Sequence, residues 1–144
     1  MANTTEPITA ALLRAHKALI DDLQKLEESA DPVTMPKLTD LRSKLDATRT
    51  HVTEHFRFEE QNGYMDEVRK REPRFERAIQ HLAAEHRHLA QSLETLIGAA
   101  KTAASLDETL RDAVRRWVND VQQHEIREND LVQDAFDQDI GGED

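Results

Sequence analysis

The chain contains no cysteine. Disulfides, thiolate zinc sites, iron–sulfur clusters and thiol catalysis are therefore excluded. Glycine and proline number only four each, a scarcity that favours long helices over strands and turns. Aromatics make up 4% of the residues, so leucine, valine, isoleucine and alanine must supply the core. No apolar run reaches the roughly 18 residues of a membrane span. The opening MANTTEP lacks the basic-then-apolar pattern of a signal peptide, and the expectation is a cytoplasmic protein. Positive charge is also short: 19 Lys and Arg face 29 Asp and Glu, a net charge of -10. That balance argues against nucleic acid and against an anionic membrane as partners. The brief basic run Val68-Arg69-Lys70-Arg71 reads as a solvated face.

What is present is a helical chain of 144 residues, 38% apolar and 33% charged. It suits one domain over residues 1–144 with a core over about 7–136. Thr4 or Thr5 followed by Pro7 forms a helix start, and a first helix is predicted from about Pro7 to Ser29. ADPVTMP interrupts it. Thr34 and Pro36 open a second helix to about Gln61, where Asn62-Gly63 supplies a left-handed cap. Residues 64–72 are charged, with room for a helical turn or two. Pro73 opens a third helix to about Ala104. Ser105-Leu106-Asp107-Glu108 is a capping box for a fourth, to about Phe136, and the tail DQDIGGED is expected to fray. Short connections between four long helices predict an all-α, up-down-up-down antiparallel four-helix bundle.

A core-facing helix repeats apolar residues at spacings of three and four. The second helix gives Leu38, Leu41, Leu45, Thr48, Val52, His55, Glu59. The third gives Phe75, Ile79, Leu82, His86, Leu89, Leu93, Leu96, and the fourth gives Leu110, Val114, Trp117, Val121, His124, Glu128, Leu131, Ala135. In the first the register is looser: Ile8, Leu12, His16, Leu19, Leu23, Leu26. Every seam is apolar except at His16, at His55 with Glu59, at His86, and at His124 with Glu128. A carboxylate in such a seam is costly unless it is paired or bound to a metal. The interruptions are also level: His86 lies 19 residues before Ser105 and His124 lies 19 after it. His55 lies 19 after Pro36, and His16 lies 15 before Asp31. All four helices thus deliver side chains to one layer.

Four imidazoles and two carboxylates suit iron, with manganese or zinc as lesser options. An i, i+4 pair places both side chains on one face, so each His-xxx-Glu can offer a terminal imidazole and a bridging carboxylate. Two metals, each with two histidines and sharing Glu59 and Glu128, would keep positions for an oxo or hydroxo bridge and for a small exogenous ligand. Several other residues invite a role. Tyr64, the only tyrosine, either reaches a bound metal or oxygen species or caps the bundle. Glu60 and Glu125 adjoin seam residues and either orient imidazoles or are solvated. His51 lies beside the seam, with a surface or supporting role. His81 and Glu85 form an i, i+4 pair read as exposed, and His88 is read as exposed. Glu85 with His88 makes a single ExxH, whereas the ferritin-like signature needs two. Phe56, Phe58 and Trp117 are expected to pack around the layer and limit water.

LLRAHKAL around His16, HFRFEEQNGYM from His55, AAEHRHL around His86 and HEIREND from His124 together form H…HxxxE…H…HxxxE. In this the chain resembles the hemerythrin-like (HHE cation-binding) family over roughly residues 7–136. The resemblance implies a four-helix bundle with a non-haem centre of two iron ions. It makes His16, His55, His86 and His124 terminal ligands, and Glu59 and Glu128 bridges. The oxygen-carrying members have HxxxH on the third helix and HxxxxD on the fourth. Here Leu82 stands four before His86 and Asn129 five after His124, which implies a more symmetric, more open centre. The resemblance implies a protein that binds or reacts with a small oxidant (oxygen, peroxide or nitric oxide), in oxidative stress handling or in iron or oxygen sensing. Peroxide decomposition is one enzymatic version. Simple oxygen or iron storage and a metal-free helical interaction module are the alternatives. A sensor would need a separate protein partner, whose identity the sequence leaves open.

Overall fold

The computed structural model describes residues 8–34, 36–61 and 64–141, without the side chains of residues 8, 9, 34, 64 and 137–141. All elements among the described residues are helical. They are α1 (Ile8–Glu28), α2 (Leu38–Gln61), α3 (Tyr64–Arg71), α4 (Glu76–Thr102) and α5 (Glu108–Gly141), with 3-10 turns at Pro32–Thr34 and Pro73–Phe75. Four are long and α3 has eight residues. No helix among the described residues is long and apolar enough to cross a membrane.

The long helices close a ring, α1 against α2 and α5, and α4 against α2 and α5. The expected seam residues fill its interior: Leu41, Leu45, Thr48 and Val52 from α2, Ile79, Leu82, Leu89 and Leu93 from α4, and Val114, Trp117 and Val121 from α5 are all buried. Arg42 ties α2 to the end of α4, donating from Nε to the Ala100 carbonyl at 2.8 Å and from Nη2 to Ala103 at 3.2 Å. A cation there satisfies carbonyls that the end of a helix leaves without partners. Trp117 Nε1 donates to the Leu89 carbonyl at 3.0 Å, so its indole is buried with its one donor used.

Two apolar clusters form along the bundle. The larger holds Leu19, Leu23, Leu45, Val52, Leu89 and Val121 among others. The smaller holds Leu12, Ile79, Leu82, Leu131, Val132 and Ala135, together with Met65 and Val68 of α3. Residues 64–72, expected as a charged turn or two, thus form a short helix that turns two apolar side chains inward. Between the clusters lies the polar layer, closed from water along the bundle axis on both sides.

The ends of helices differ from the sequence expectation. α2 starts at Leu38, because the Lys37 carbonyl receives its first bonds, from Asp40 at 3.0 Å and Leu41 at 3.1 Å. Pro73 opens a 3-10 turn rather than α4 itself, a common way to enter a helix. α4 stops at Thr102, since Ala103 is extended with φ -68 and ψ 141. α5 runs past Phe136, with no glycine before Gly141 to end it. The expected start at Pro7 and the Asn62-Gly63 cap lie outside the described residues.

The start of α5 is the clearest correction. Ser105 is exposed and precedes the helix by three residues. Asp107 caps instead: its Oδ1 accepts from the Leu110 N–H at 2.9 Å, and its carbonyl accepts from Arg111 at 3.0 Å. The sequence pattern places the cap at Ser105, but Asp107 stands at the position from which a side chain reaches the third helical N–H. Asp107→Ala is therefore expected to lower stability by about 1 kcal/mol, and Ser105→Ala to change it by less than about 0.5 kcal/mol. Urea denaturation of both variants measures the two effects, and a larger loss in Ser105→Ala than in Asp107→Ala would place the cap at Ser105 after all.

Candidate metal centre

Seven buried polar side chains meet in the layer between the clusters. They are His16 from α1, His55 and Glu59 from α2, His86 from α4, and His124, Glu125 and Glu128 from α5. Glu59, His124 and Glu128 are 0% exposed. Periodicity puts them there: each except Glu125 continues an apolar seam by steps of three or four residues.

The seven divide into two groups, and within each the candidate donor atoms all lie within 4.8 Å of one another. The first is His16, His55, Glu59 and Glu125; the second is Glu59, His86, His124 and Glu128. In the first, Glu59 Oε2 is 2.8 Å from His55 Nε2 and 3.1 Å from His16 Nε2. In the second, the other oxygen of Glu59, Oε1, is 3.0 Å from His86 Nε2. Glu128 spans the halves in the same way, with Oε1 3.1 Å from His16 Nε2 and Oε2 3.6 Å from His86 Nε2 and 3.8 Å from His124 Nε2. Each of these two carboxylates therefore offers one oxygen to each half.

Polar atoms of the layer converge without completing hydrogen bonds. Glu59 Oε1, His86 Nε2, His124 Nε2, Glu125 Oε2 and Glu128 Oε2 are all buried with no hydrogen-bond partner. Glu59 Oε1 and His86 Nε2 lie 3.0 Å apart and still lack the alignment of a hydrogen bond. Buried atoms of this kind require an explanation, and a shared cation between them is one. Imidazole nitrogen and carboxylate oxygen, with no thiolate, is a donor set for iron, manganese or zinc. The residues present fit a two-metal site.

Support comes from outside the layer. Glu60 Oε2 accepts from His86 Nδ1 at 2.5 Å, and Glu85 Oε1 from His124 Nδ1 at 2.7 Å. Arg127 Nη2 donates to Glu85 Oε2 at 2.6 Å. A proton held on Nδ1 leaves the Nε2 lone pair directed into the layer. Phe56 stacks on His86, with centroids 4.2 Å apart and planes tilted by 14°, and meets His124 edge-on at 5.8 Å.

Burial alone would depress the histidines. The carboxylates of Glu128, Glu59 and Glu125 outweigh it at His16, raising it to about 9. Glu125 and Glu59 raise His55 to about 10, and Glu128, Glu59 and Glu60 raise His86 to about 10. At His124 burial prevails over Glu85 and the pKa falls. Burial would raise Glu59, but Glu128 and three histidines hold it well below the usual carboxylate range. Glu125 is raised by burial to about 7, His55 opposing. Glu85 is lowered: burial works against this, and Arg127 and His124 prevail.

The other residues singled out in the sequence fall in different places. Glu85, expected in an exposed pair with His81, is only 3.5 Å from His81 but turns its other oxygen to His124. His51 is exposed and pairs with Asp22 at 2.9 Å, away from the layer. His88 is exposed. The side chain of Tyr64 lies outside the described residues. Glu125 was expected beside the layer or in solvent, and the structure places it inside, 2% exposed, 2.8 Å from His55 and 3.0 Å from His16. The signal was available: Val118, Glu125 and Val132 recur at seven-residue intervals along α5, and all three are buried. They form a second inward stripe beside the main seam. Glu125 lies in only one of the two groups, with His16, His55 and Glu59.

No curated protein and no solved structure matches the chain. The hemerythrin HHE cation binding domain does, over residues 8–137. That span takes in the four long helices up to Asp137 and every residue of the layer, and the chain belongs to the hemerythrin HHE cation-binding family.

Proposed function

We propose that this chain is a non-haem di-iron protein that binds or reacts with a small oxidant: oxygen, peroxide or nitric oxide. It serves oxidative stress handling or the sensing of iron or oxygen. The observation that carries the reading is the pair of carboxylates, Glu59 and Glu128, each offering one oxygen to each of two histidine-lined halves. One metal would not use that division; two would. The ligand set is His16 and His55 on one side, His86 and His124 on the other, with Glu59 and Glu128 between.

The reading takes the chain as one domain, an up-down-up-down bundle. Cross-helix pairs support this order: along α2, Arg42, Arg49 and Glu60 meet Ala100, Glu94 and His86 of α4 in descending sequence. Along α5, Trp117 and His124 meet Leu89 and Glu85. Antiparallel neighbours bring one level of each helix into a common layer.

Bound iron would supply Lewis acidity and one-electron exchange. The chain's own groups hold and shield it. Glu60 and Glu85 fix two imidazoles through Nδ1, and Phe56 with the two apolar clusters keeps water from the layer. A metal-free interaction module would instead bury three carboxylates and four imidazoles with several atoms unpartnered, for no gain in packing.

Two experiments test this. Purified from cells supplied with iron, the chain is expected to hold about two irons and to lose thermal stability under a chelator, since a ligand bound only by the folded state stabilises it. Glu59→Ala is expected to empty both positions rather than one. A folded chain that contains no metal and ignores chelators sinks the proposal. The second concerns protons. His16, His55 and His86, at about 9, 10 and 10, carry protons at pH 7, and a metal must displace them. Loading at pH 7 is expected to release about three protons and to tighten as pH rises toward 10. In the metal-free chain these raised values stabilise the fold below the unfolded histidine pKa, near 6.5, and that contribution is lost as pH rises through 9 to 10. Thermal melts between pH 7 and 10 should therefore fall for the metal-free chain and diverge from those of the loaded one.

A further inference from the structure

We propose that Glu125 is a seventh protein donor, confined to the His16–His55 half, so that the two metal positions are chemically unequal. The inference rests on the two-metal reading and deepens it. Counting donors, the first position meets His16, His55 and Glu125 with one oxygen each of Glu59 and Glu128. The second meets His86 and His124 with the remaining oxygens of the same two carboxylates. One position thus has five protein donors and the other four.

Three observations place Glu125 among the donors rather than around them. First, its Oε1 approaches Nε2 of both His55 and His16, at 2.8 and 3.0 Å, the same inward-facing atoms that Glu59 approaches. The supporting carboxylates Glu60 and Glu85 instead bond to Nδ1, on the outer side of their imidazoles. Second, Glu125 is 2% exposed and its Oε2 has no hydrogen-bond partner, whereas Glu60 is 47% exposed. Third, the half formed by His86 and His124 has no matching group: among the described residues its only carboxylates on the Nε2 side are Glu59 and Glu128. A cation at the first position therefore meets one more anionic oxygen than a cation at the second, and hard cations gain from each such ligand.

Glu125 also lines a cleft of about 270 Å³ between α1 and α5, where the exposed side chains of Leu13, Ile20 and Ile126 surround the approach to His16. Truncating Glu125 would join that cleft to the layer and admit a small carboxylate from solvent, which makes the role open to chemical rescue.

The test uses the full chain and iron itself, read by Mössbauer spectroscopy and by stepwise titration. The wild type is expected to show two doublets of equal area with different parameters, and two unequal binding steps. In Glu125→Ala, one step weakens by more than the roughly 10–100-fold that loss of a supporting residue costs, and only one doublet moves. Added acetate restores both. Glu125→Gln keeps the shape and removes the charge, so it should show the same single-position loss, and it carries the test if the alanine variant does not fold. Two irons bound with unchanged affinities and unchanged doublets in Glu125→Gln would overturn the assignment while leaving the two-metal reading intact. A wild type that binds no iron would overturn the two-metal reading itself.

Discussion

A carboxylate inside a layer of leucines is the constraint on which this structure turns. Taking one from water costs several kcal/mol even after relaxation, and here Glu59, Glu125 and Glu128 are buried together. Such a cluster persists only if positive charge is brought to it. The four helices each contribute: His16, His55, His86 and His124 come from four separate elements and converge on three acids. The bundle therefore does more than surround the site. Its ring of helices brings the seven side chains to one level, and an apolar cluster lies on either side of that level along the axis.

Charge balance in the layer can be met by protons or by metal. Three of the imidazoles are raised by their carboxylate neighbours, so protons suffice to neutralise the acids near neutral pH. Protons leave something undone, however. Five buried donor atoms still lack partners, since a proton lies between two atoms whereas a cation serves five or six at once. The surface contributes as well. Glu60 and Glu85 belong to the outer faces of α2 and α4, and each reaches across to a histidine of the next helix. Arg127 extends that chain to a third group.

The sequence made the seams legible because burial leaves a period of three and four residues, and that period runs through Leu45, Val52, His55 and Glu59 without a break. The depth of the layer was legible too, since helical rise converts residue counts into distance. Ends of helices were not, because several local signals compete within a few residues: Ser105 and Asp107 both cap in principle, and only the path of the chain decides between them. Pairings across helices were less accessible still. That Glu60 serves His86, and Glu85 serves His124, depends on which helices are neighbours and on their rotation. Glu125 lay between these cases. Its stripe, with Val118 and Val132, was present in the sequence, but a second apolar stripe beside the first reads as tolerance of burial rather than as a demand for it.

The resemblance to the oxygen carriers takes on a different meaning once α4 and α5 are seen together. Where those proteins have a histidine, this chain has Leu82, which packs with Ile79, Leu131 and Val132 in the smaller apolar cluster. A donor is thus absent from the His86–His124 half. On the reading proposed for Glu125, a donor is gained on the other half, and it is an anion rather than a neutral imidazole. The total number of donors is then kept, while their distribution between the halves and the charge of the centre would both change. Added negative charge in a buried site favours the more oxidised metal and lowers its reduction potential, as net charge does at other iron centres. On the di-iron reading proposed above, such a centre would hold electrons less firmly than one built of imidazoles, and would be suited to giving them to an oxidant rather than to releasing that oxidant unchanged.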